Sequence, residues 1–274
     1  MAPKIALCQY SPSSKDLEKN FQAASELVRQ AAKEGADLAV LPEYTLSLPI
    51  VDEVDRWADK DNFYLKRYQK LAKELNLNLV PGTIGEYNDD GTLTNNCYYI
   101  DRLGQVLHTY KKKNLWHPER GCFTKGLDEH AVFKTEEFGN VGLLICWDLN
   151  FPEAFRSLVA QGVQTIIAPT CWTLHDAGAG VKYNKFSEKT YLSSLITTRA
   201  FENEVVIVFV NAGGPESDGW IGMSQVTMPF YGKVVDFEGG EIGVKVCEID
   251  YSVLDVAESV YKVRKDLSSQ DWHY

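Results

Sequence analysis

VGLLICWDLNFPEAFRSL, residues 141–158, reads as two structures joined at a thiol. The apolar run Val141 to Ile145 has the composition of a buried strand. A helix is predicted from about residue 152, with Pro152 in its first turn. Cys146 stands at the junction. A thiol there is either core filling or a nucleophile. An unperturbed cysteine, with a pKa of about 8.5, is mostly protonated at neutral pH, and the thiolate is the reactive form. A nearby helix N-terminus favours negative charge.

Outward from this stretch, strand and helix patterns alternate. KIALCQ (4–9) is a strand, followed by a helix with Leu17, Phe21, Ala24, Leu27, Val28 and Ala31 at helical spacing. Ser13 or Ser14 is the expected cap of that helix and Gly35 its C′ residue. ADLAVLPEY gives a second strand, stopped by Pro42, and residues 61–75 a second helix. LNLVPGTIGEY and NNCYYIDRLG read as a hairpin across NDDG, and QVLHTYKK as a further strand. A loop covers 112–129, and strands are expected near 130–134 and 140–146. VQTIIAPT is a strand, 184–203 a helix, and EVVIVFVNAGG a strand buried on both faces. GWIGMSQVTMPFYGKVVDFEGGEIGVKVCEID reads as successive antiparallel strands before a last helix and a polar tail. The pattern predicts a layered α/β fold with helices covering sheets, whose sites gather at the carboxyl ends of strands. No low-complexity linker or short repeat divides the 274 residues, so 1–274 is read as one domain.

Composition excludes several function classes. Hydrophobic residues make up 45% and charged residues 24%, as in a globular protein with a sizeable core. The formal charge of −10 repels phosphate backbones and argues against nucleic acid as a partner. No apolar stretch reaches the ~20 residues that span a bilayer, and the start of the chain is too short in apolar residues for a secretory signal. Six scattered cysteines without a C-x-x-C pair suit reduced thiols in the cytosol, not a disulfide framework or zinc site. H-E-x-x-H, P-loop and G-x-G-x-x-G patterns are absent, which removes support for zinc, nucleotide triphosphate and dinucleotide chemistry.

Three strand ends carry reactive residues: Glu43 after DLAVLP, the lysine run 111–113 after QVLHTY, and Cys146 after VGLLI. A carboxylate can take the thiol proton and return it to a leaving amine. A lysine and backbone N–H groups after the nucleophile can stabilise an oxyanion. Each has a plainer reading: a buried inert thiol, a solvated Pro-Glu turn, an exposed basic face. A Cys–His arrangement competes. Of His108, His117, His130, His175 and His273, His117 shares the loop of the lysine run.

In combination these motifs resemble the nitrilase superfamily of carbon–nitrogen hydrolases, over nearly the whole chain. DLAVLPEY is similar to the family's Pro-Glu motif, YKKKNLW to its lysine motif and ICWDLNFPE to its nucleophile motif. PERGCFTKG resembles the loop of a second glutamate, and RAFENEVVIVFVNAGG and GMSQVTMPFYGKVV the late motifs. The resemblance implies a four-layer αββα sandwich and a Glu43–Lys112–Cys146 catalytic triad, with Glu119 orienting the lysine and contacting substrate. Lys112 is selected by aligning Tyr110 and Leu115, and alternation in a strand then turns Lys111 and Lys113 away. Asn114 departs from the family's usual histidine. The implied partner is a second copy of the chain, a homodimer formed through helices and the C-terminal segment, about 251–274.

The implied chemistry is hydrolysis of a small non-peptide amide through a Cys146 thioester, with the Trp147 N–H assisting Lys112 at the oxyanion, and without metal or organic cofactor. Asp148 after Cys146-Trp147 points to the amidase and carbamoylase branches. Leu149 and Asn150, where an arginine often accompanies N-carbamoyl amino acid hydrolysis, favour a small aliphatic or ω-amide. A nitrilase acting on a small nitrile and an N-carbamoyl hydrolase are the alternatives; from a different class, a catalytically silent scaffold or thiol redox sensor. In TCWTLHDAGAGVKYNKF, Trp172, His175 and Tyr183 either line the pocket or pack under a loop.

Overall fold

Alternation along the first strand sets the layering. A computed structural model describes residues 2–12 and 15–269; Ser13, Ser14, His273 and the end of the tail lie outside the described residues. In β1 (Lys4–Gln9), Ile5 and Leu7 face one core, and Ala6 and Cys8 face another. The same division runs through β2 (Leu38–Val40), β3 (Asn78–Val80), β5 (Leu93–Ile100) and β6 (Val106–Lys111), while β4 (Thr83–Tyr87) adds Ile84 to the core of Ala6 and Cys8. These six strands share the first sheet. The second sheet holds β7 (Val132–Thr135), β8 (Gly139–Leu143), β9 (Thr165–Thr170), β10 (Val206–Asn211), β11 (Gln225–Met228) and β12 (Gly232–Asp236), in the order β12-β11-β10-β9-β8-β7.

Each sheet has a parallel centre. β1, β2 and β3 run parallel, with Ile5 opposite Leu38 and Leu38 opposite Asn78. β8, β9 and β10 do likewise, with Val141 opposite Thr165 and Thr165 opposite Val206. Parallel neighbours require long crossovers, here through helices. The first sheet uses α1 (Leu17–Lys33), then α2 (Val54–Trp57) and α3 (Phe63–Leu75); the second uses α4 (Pro152–Val159) and α5 (Ser187–Asn203). Phe21, Val28, Tyr68 and Leu71 of α1 and α3 pack on Ala6, Ala39 and Leu79. Phe155, Leu158, Leu192 and Ile196 of α4 and α5 belong to the large core that also fills the space between the sheets. The order of layers is therefore helix, sheet, sheet, helix: the αββα sandwich that the sequence implied.

Several local expectations need correction. The cap of α1 is Asp16, whose carboxylate accepts the N–H groups of Glu18 and Lys19 at 3.0 and 3.3 Å. LNLVPGTIGEY is two strands, β3 and β4, on one edge of β5, broken at Pro81-Gly82. Gly82 has φ +76°, and a Cβ there would lie 1.8 Å from the Pro42 carbonyl oxygen, so only glycine fits. The late antiparallel strands do not stay together. β11 and β12 form a hairpin in the second sheet, but β13 (Gly243–Glu248) crosses back and pairs with β1, placing Lys4 opposite Glu248. The chain then continues into α6 (Ser252–Tyr261) and α7 (Val263–Ser268). Among the described residues, no helix is long and apolar enough to cross a membrane.

Candidate active site

The carboxyl ends of β2, β6, β8 and β9 meet at one cavity of about 160 Å³. Glu43 enters from a turn just past β2. The Thr45 hydroxyl donates to the Pro42 carbonyl at 2.7 Å, and the Tyr44 N–H donates to the Thr83 hydroxyl at 3.1 Å. Tyr44 sits at φ +59°, a conformation unfavourable to a side-chain-bearing residue, and these bonds hold it there.

Lys112 follows the last residue of β6, tied by its N–H to the Asn95 carbonyl at 2.9 Å. Its neighbours point elsewhere: Lys111 Nζ donates to Asn88 Oδ1 and Lys113 Nζ to the Asp128 carbonyl, both at 2.7 Å. Lys112 is 1% exposed, as is Glu43. Its Nζ donates to Glu43 Oε1 and to both oxygens of Glu119, each at 2.8 Å. Burial acts to lower the lysine pKa, but the charge and hydrogen bond of Glu43 oppose it, and the ammonium is held above its usual value. Glu119 also accepts the Trp116 N–H at 2.6 Å and the Tyr44 hydroxyl. Burial, then the charge of Glu43, pushes the Glu119 carboxyl up. A buried ion triad persists only when its hydrogen bonds are satisfied, and this one is satisfied on every side.

Glu43 is held as firmly. Oε1 accepts Asn95 Nδ2 at 2.9 Å besides Lys112, whereas Oε2 accepts the Cys171 N–H alone, at 3.1 Å. That leaves Oε2 with the freer lone pair.

Cys146 sits at φ +43°, where β8 breaks into a 3-10 turn, Cys146–Asn150. This turn, not α4, adjoins the thiol. Asp148, fully buried, holds it with both oxygens: Oδ2 accepts the Ile145 N–H and the Tyr110 hydroxyl, each at 2.9 Å. Oδ1 accepts the Asn114 N–H at 2.9 Å and Asn114 Nδ2 at 2.8 Å. Asn114 thus fastens the end of β6 to the turn, and Asp148 does not line the cavity. The first bond of the turn is Asp148 N–H to the Ile145 carbonyl at 2.9 Å, so the Trp147 N–H before it has no acceptor within the turn. Burial, followed by the Glu43 charge, raises the Cys146 pKa well above its usual value, against the opposing pull of Lys112. The resting thiol is protonated.

Of the expected pocket residues, Trp147 and Trp172 line the cavity. The Trp172 N–H donates to Asn211 Oδ1 at 2.7 Å, and its indole N–H to Glu188 at 2.6 Å. His175 and Tyr183 are corrections. Tyr183 is 83% exposed, and the His175 ring covers Gly219, whose Cβ position lies 2.3 Å from Nε2. Neither borders the cavity; of the turn Leu174–Lys182, Asp176 is the residue that lines it. His117 packs its ring edge on Trp116, centroids 5.0 Å apart, and the described cavity wall contains no histidine. Sequence reading missed Tyr44, Asn95, Trp116, Cys171 and Asp176; strand register and loop packing bring them in. Among the described residues, no group of three or more His, Cys, Asp or Glu side chains is placed to hold a metal ion.

Comparison with known proteins places the chain in a family. The sequence model of the carbon-nitrogen hydrolase family matches residues 4–254. The N-carbamoylputrescine amidase of Arabidopsis thaliana is 31% identical over 265 residues, covering 93% of this chain and 83% of that protein. Two solved structures share the fold. Saccharomyces cerevisiae Nit3, a member of branch 10 of the nitrilase superfamily, superposes with TM-score 0.81 at 24% identity, covering 98% of this chain and 96% of its own. An amidase from Nesterenkonia sp. AN1, carrying the acetamide moiety of fluoroacetamide on its active-site cysteine, gives TM-score 0.79 at 22% identity, covering 97% and 96%. The chain belongs to the carbon-nitrogen hydrolase family.

Proposed function

We propose that this carbon–nitrogen hydrolase cleaves a small amide through a thioester on Cys146. The observation that carries the reading is the buried Glu43–Lys112–Glu119 triad beside a buried thiol at a positive-φ turn. Glu43 Oε2 takes the proton from Cys146, and the sulfur attacks the carbonyl carbon. The oxyanion forms against the Lys112 charge and the Trp147 N–H. Glu43 returns the proton to the nitrogen, the C–N bond breaks, and ammonia or amine leaves. Water, deprotonated by Glu43, then attacks the thioester and releases the acid and the thiol. Glu119 fixes the lysine and borders the bound substrate. No step calls for a metal or organic cofactor.

The activity named for the Arabidopsis relative and the cysteine adduct of the Nesterenkonia amidase support a small amide or carbamoyl substrate. Six free cysteines suit a reducing compartment such as the cytosol. Exposed Phe230, Tyr231, Val256, Val260 and Tyr261, with Phe230 and Tyr261 rings 5.2 Å apart, support pairing of two copies through the α6 face. Ammonia release from a panel of small amides, N-carbamoyl compounds and nitriles tests the reading. The expected result is turnover of amides by the wild type and none by Cys146→Ala; normal turnover by Cys146→Ala overturns it.

A further inference from the structure

The cavity walls carry more than the reacting groups need. Three tryptophans form one contiguous surface, with ring centroids 4.3 Å apart for Trp116 and Trp147 and 5.4 Å for Trp147 and Trp172. Asp176 borders the same cavity from the turn after Trp172. Its Oδ2 accepts the Thr173 N–H at 2.7 Å, which fixes the carboxylate in place. Burial, and after the opposing Thr173 bonds the charges of Glu188 and Glu43, push this carboxyl up. An ammonium group brought beside it would draw it back down.

Positive charge is scarce here. Lys112 is the sole cationic side chain among the described lining residues, and its Nζ already serves Glu43 and Glu119. Lysines on the following segment are turned away: Lys182 lies over the Tyr183 ring, Lys185 over Phe186, and Lys189 pairs with Glu216. A carboxylate-ended substrate would find no free counter-ion. A protonated amine would find a carboxylate and three aromatic faces.

We infer that the cavity selects small amides whose far end is a protonated amine, with Asp176 as counter-ion and Trp116, Trp147 and Trp172 as an aromatic cage. The inference rests on the amide-hydrolase reading for turnover, but selection by charge is measurable without it. Binding of 5-aminopentanamide, hexanamide and adipamate to Cys146→Ala, followed by tryptophan fluorescence or calorimetry, isolates recognition from chemistry. The cationic amide should bind about tenfold more tightly than the neutral one, and adipamate most weakly. Adding Asp176→Asn, whose side-chain carbonyl can still accept the Thr173 N–H, should erase the preference for the cation. Equal or tighter binding of adipamate overturns the inference with no change at Asp176, as does a cation preference that survives Asp176→Asn. Wild-type ammonia release from hexanamide reports separately on the amide reading, so the two can fail independently.

Discussion

The two sheets bring different materials to the cavity. From the seven-stranded side come fixed charges, Glu43 past β2 and Lys112 past β6, closed by Glu119 and steadied by the Asn95 amide on β5. From the six-stranded side come the thiol on its positive-φ turn, the Cys171 N–H, Trp147 and Trp172, the last anchored by Asn211. One half holds the lysine and its two glutamates, and the other holds the nucleophile. Burial raises the thiol above its usual value, and the carboxylate placed to take its proton comes from the other sheet, so the site is assembled at the seam where the two halves meet.

That division can be broken one side at a time. Lys112→Met leaves Glu43 and Glu119 facing each other without a cation. Such a loss destabilises by about 3–5 kcal/mol, readable as a lowered urea midpoint, with amide turnover abolished. A midpoint unchanged within error would mean that the triad contributes little to the fold. On the nucleophile's side the effect is smaller and opposite in kind. Both Cys146→Gly and Cys146→Ala remove the thiol, yet glycine tolerates φ +43° and alanine does not. Cys146→Gly should therefore be the more stable of the two by about 1 kcal/mol in the same titration. If alanine is as stable as glycine, the turn stores no strain.

A third site sharpens the contrast, because there two carboxyls meet without a lysine between them. Glu204, fully buried at the end of α5, accepts the Val263 N–H at 3.3 Å through Oε1, while Oε2 has no donor. Burial, then the neighbouring Glu258 carboxyl, raises Glu204 to about 7, whereas Glu258 lies below its usual value. Glu258 accepts the Arg264 and Lys265 N–H groups, each at 3.1 Å, and the Arg264 guanidinium donates to the Val163 and Glu204 carbonyls at 2.6 and 3.0 Å. Between an unfolded pKa of about 4.3 and the folded value, the folded chain holds the extra proton, so this pair's stabilisation falls as pH rises. Comparing urea midpoints at pH 5 and pH 8, wild type should lose more stability than Glu204→Gln, whose amide keeps a donor toward Glu258 at every pH. Equal losses would remove the shared proton.

What the sequence made legible follows the physics of its signals. Glu43, Lys112, Glu119 and Cys146 each stood at a strand end or in a motif of fixed spacing, and the structure gathers all four. The helices with long apolar periodicity, α1, α3 and α5, were readable for the same reason. Asn95, Cys171 and Asp176 were not, because their place depends on which strand lies beside which and on how a loop folds back. His175 and Tyr183 show the reverse: aromatic type in a loop says nothing about direction, and both turn outward. The crossing of β13 was hidden because a glycine turn looks the same whether the next strand stays in its sheet or leaves it. Asp148 was read as a mark of substrate class; its four donors make it the clasp of the nucleophile turn.

The most direct test is to catch the acyl group. Glu43→Gln removes the base of both half-reactions, but an activated ester's leaving group needs no protonation, so acylation by such an ester should continue while deacylation slows by about 10³-fold and the thioester accumulates. Intact mass followed by peptide mapping, after mixing this variant with an excess of the activated ester that corresponds to a turned-over amide, reads the site directly. The expected result is one acyl increment per chain, on the peptide holding Cys146 and cleaved by hydroxylamine. An acyl group on any other residue, or steady amide hydrolysis with Cys146 never modified, would contradict the mechanism.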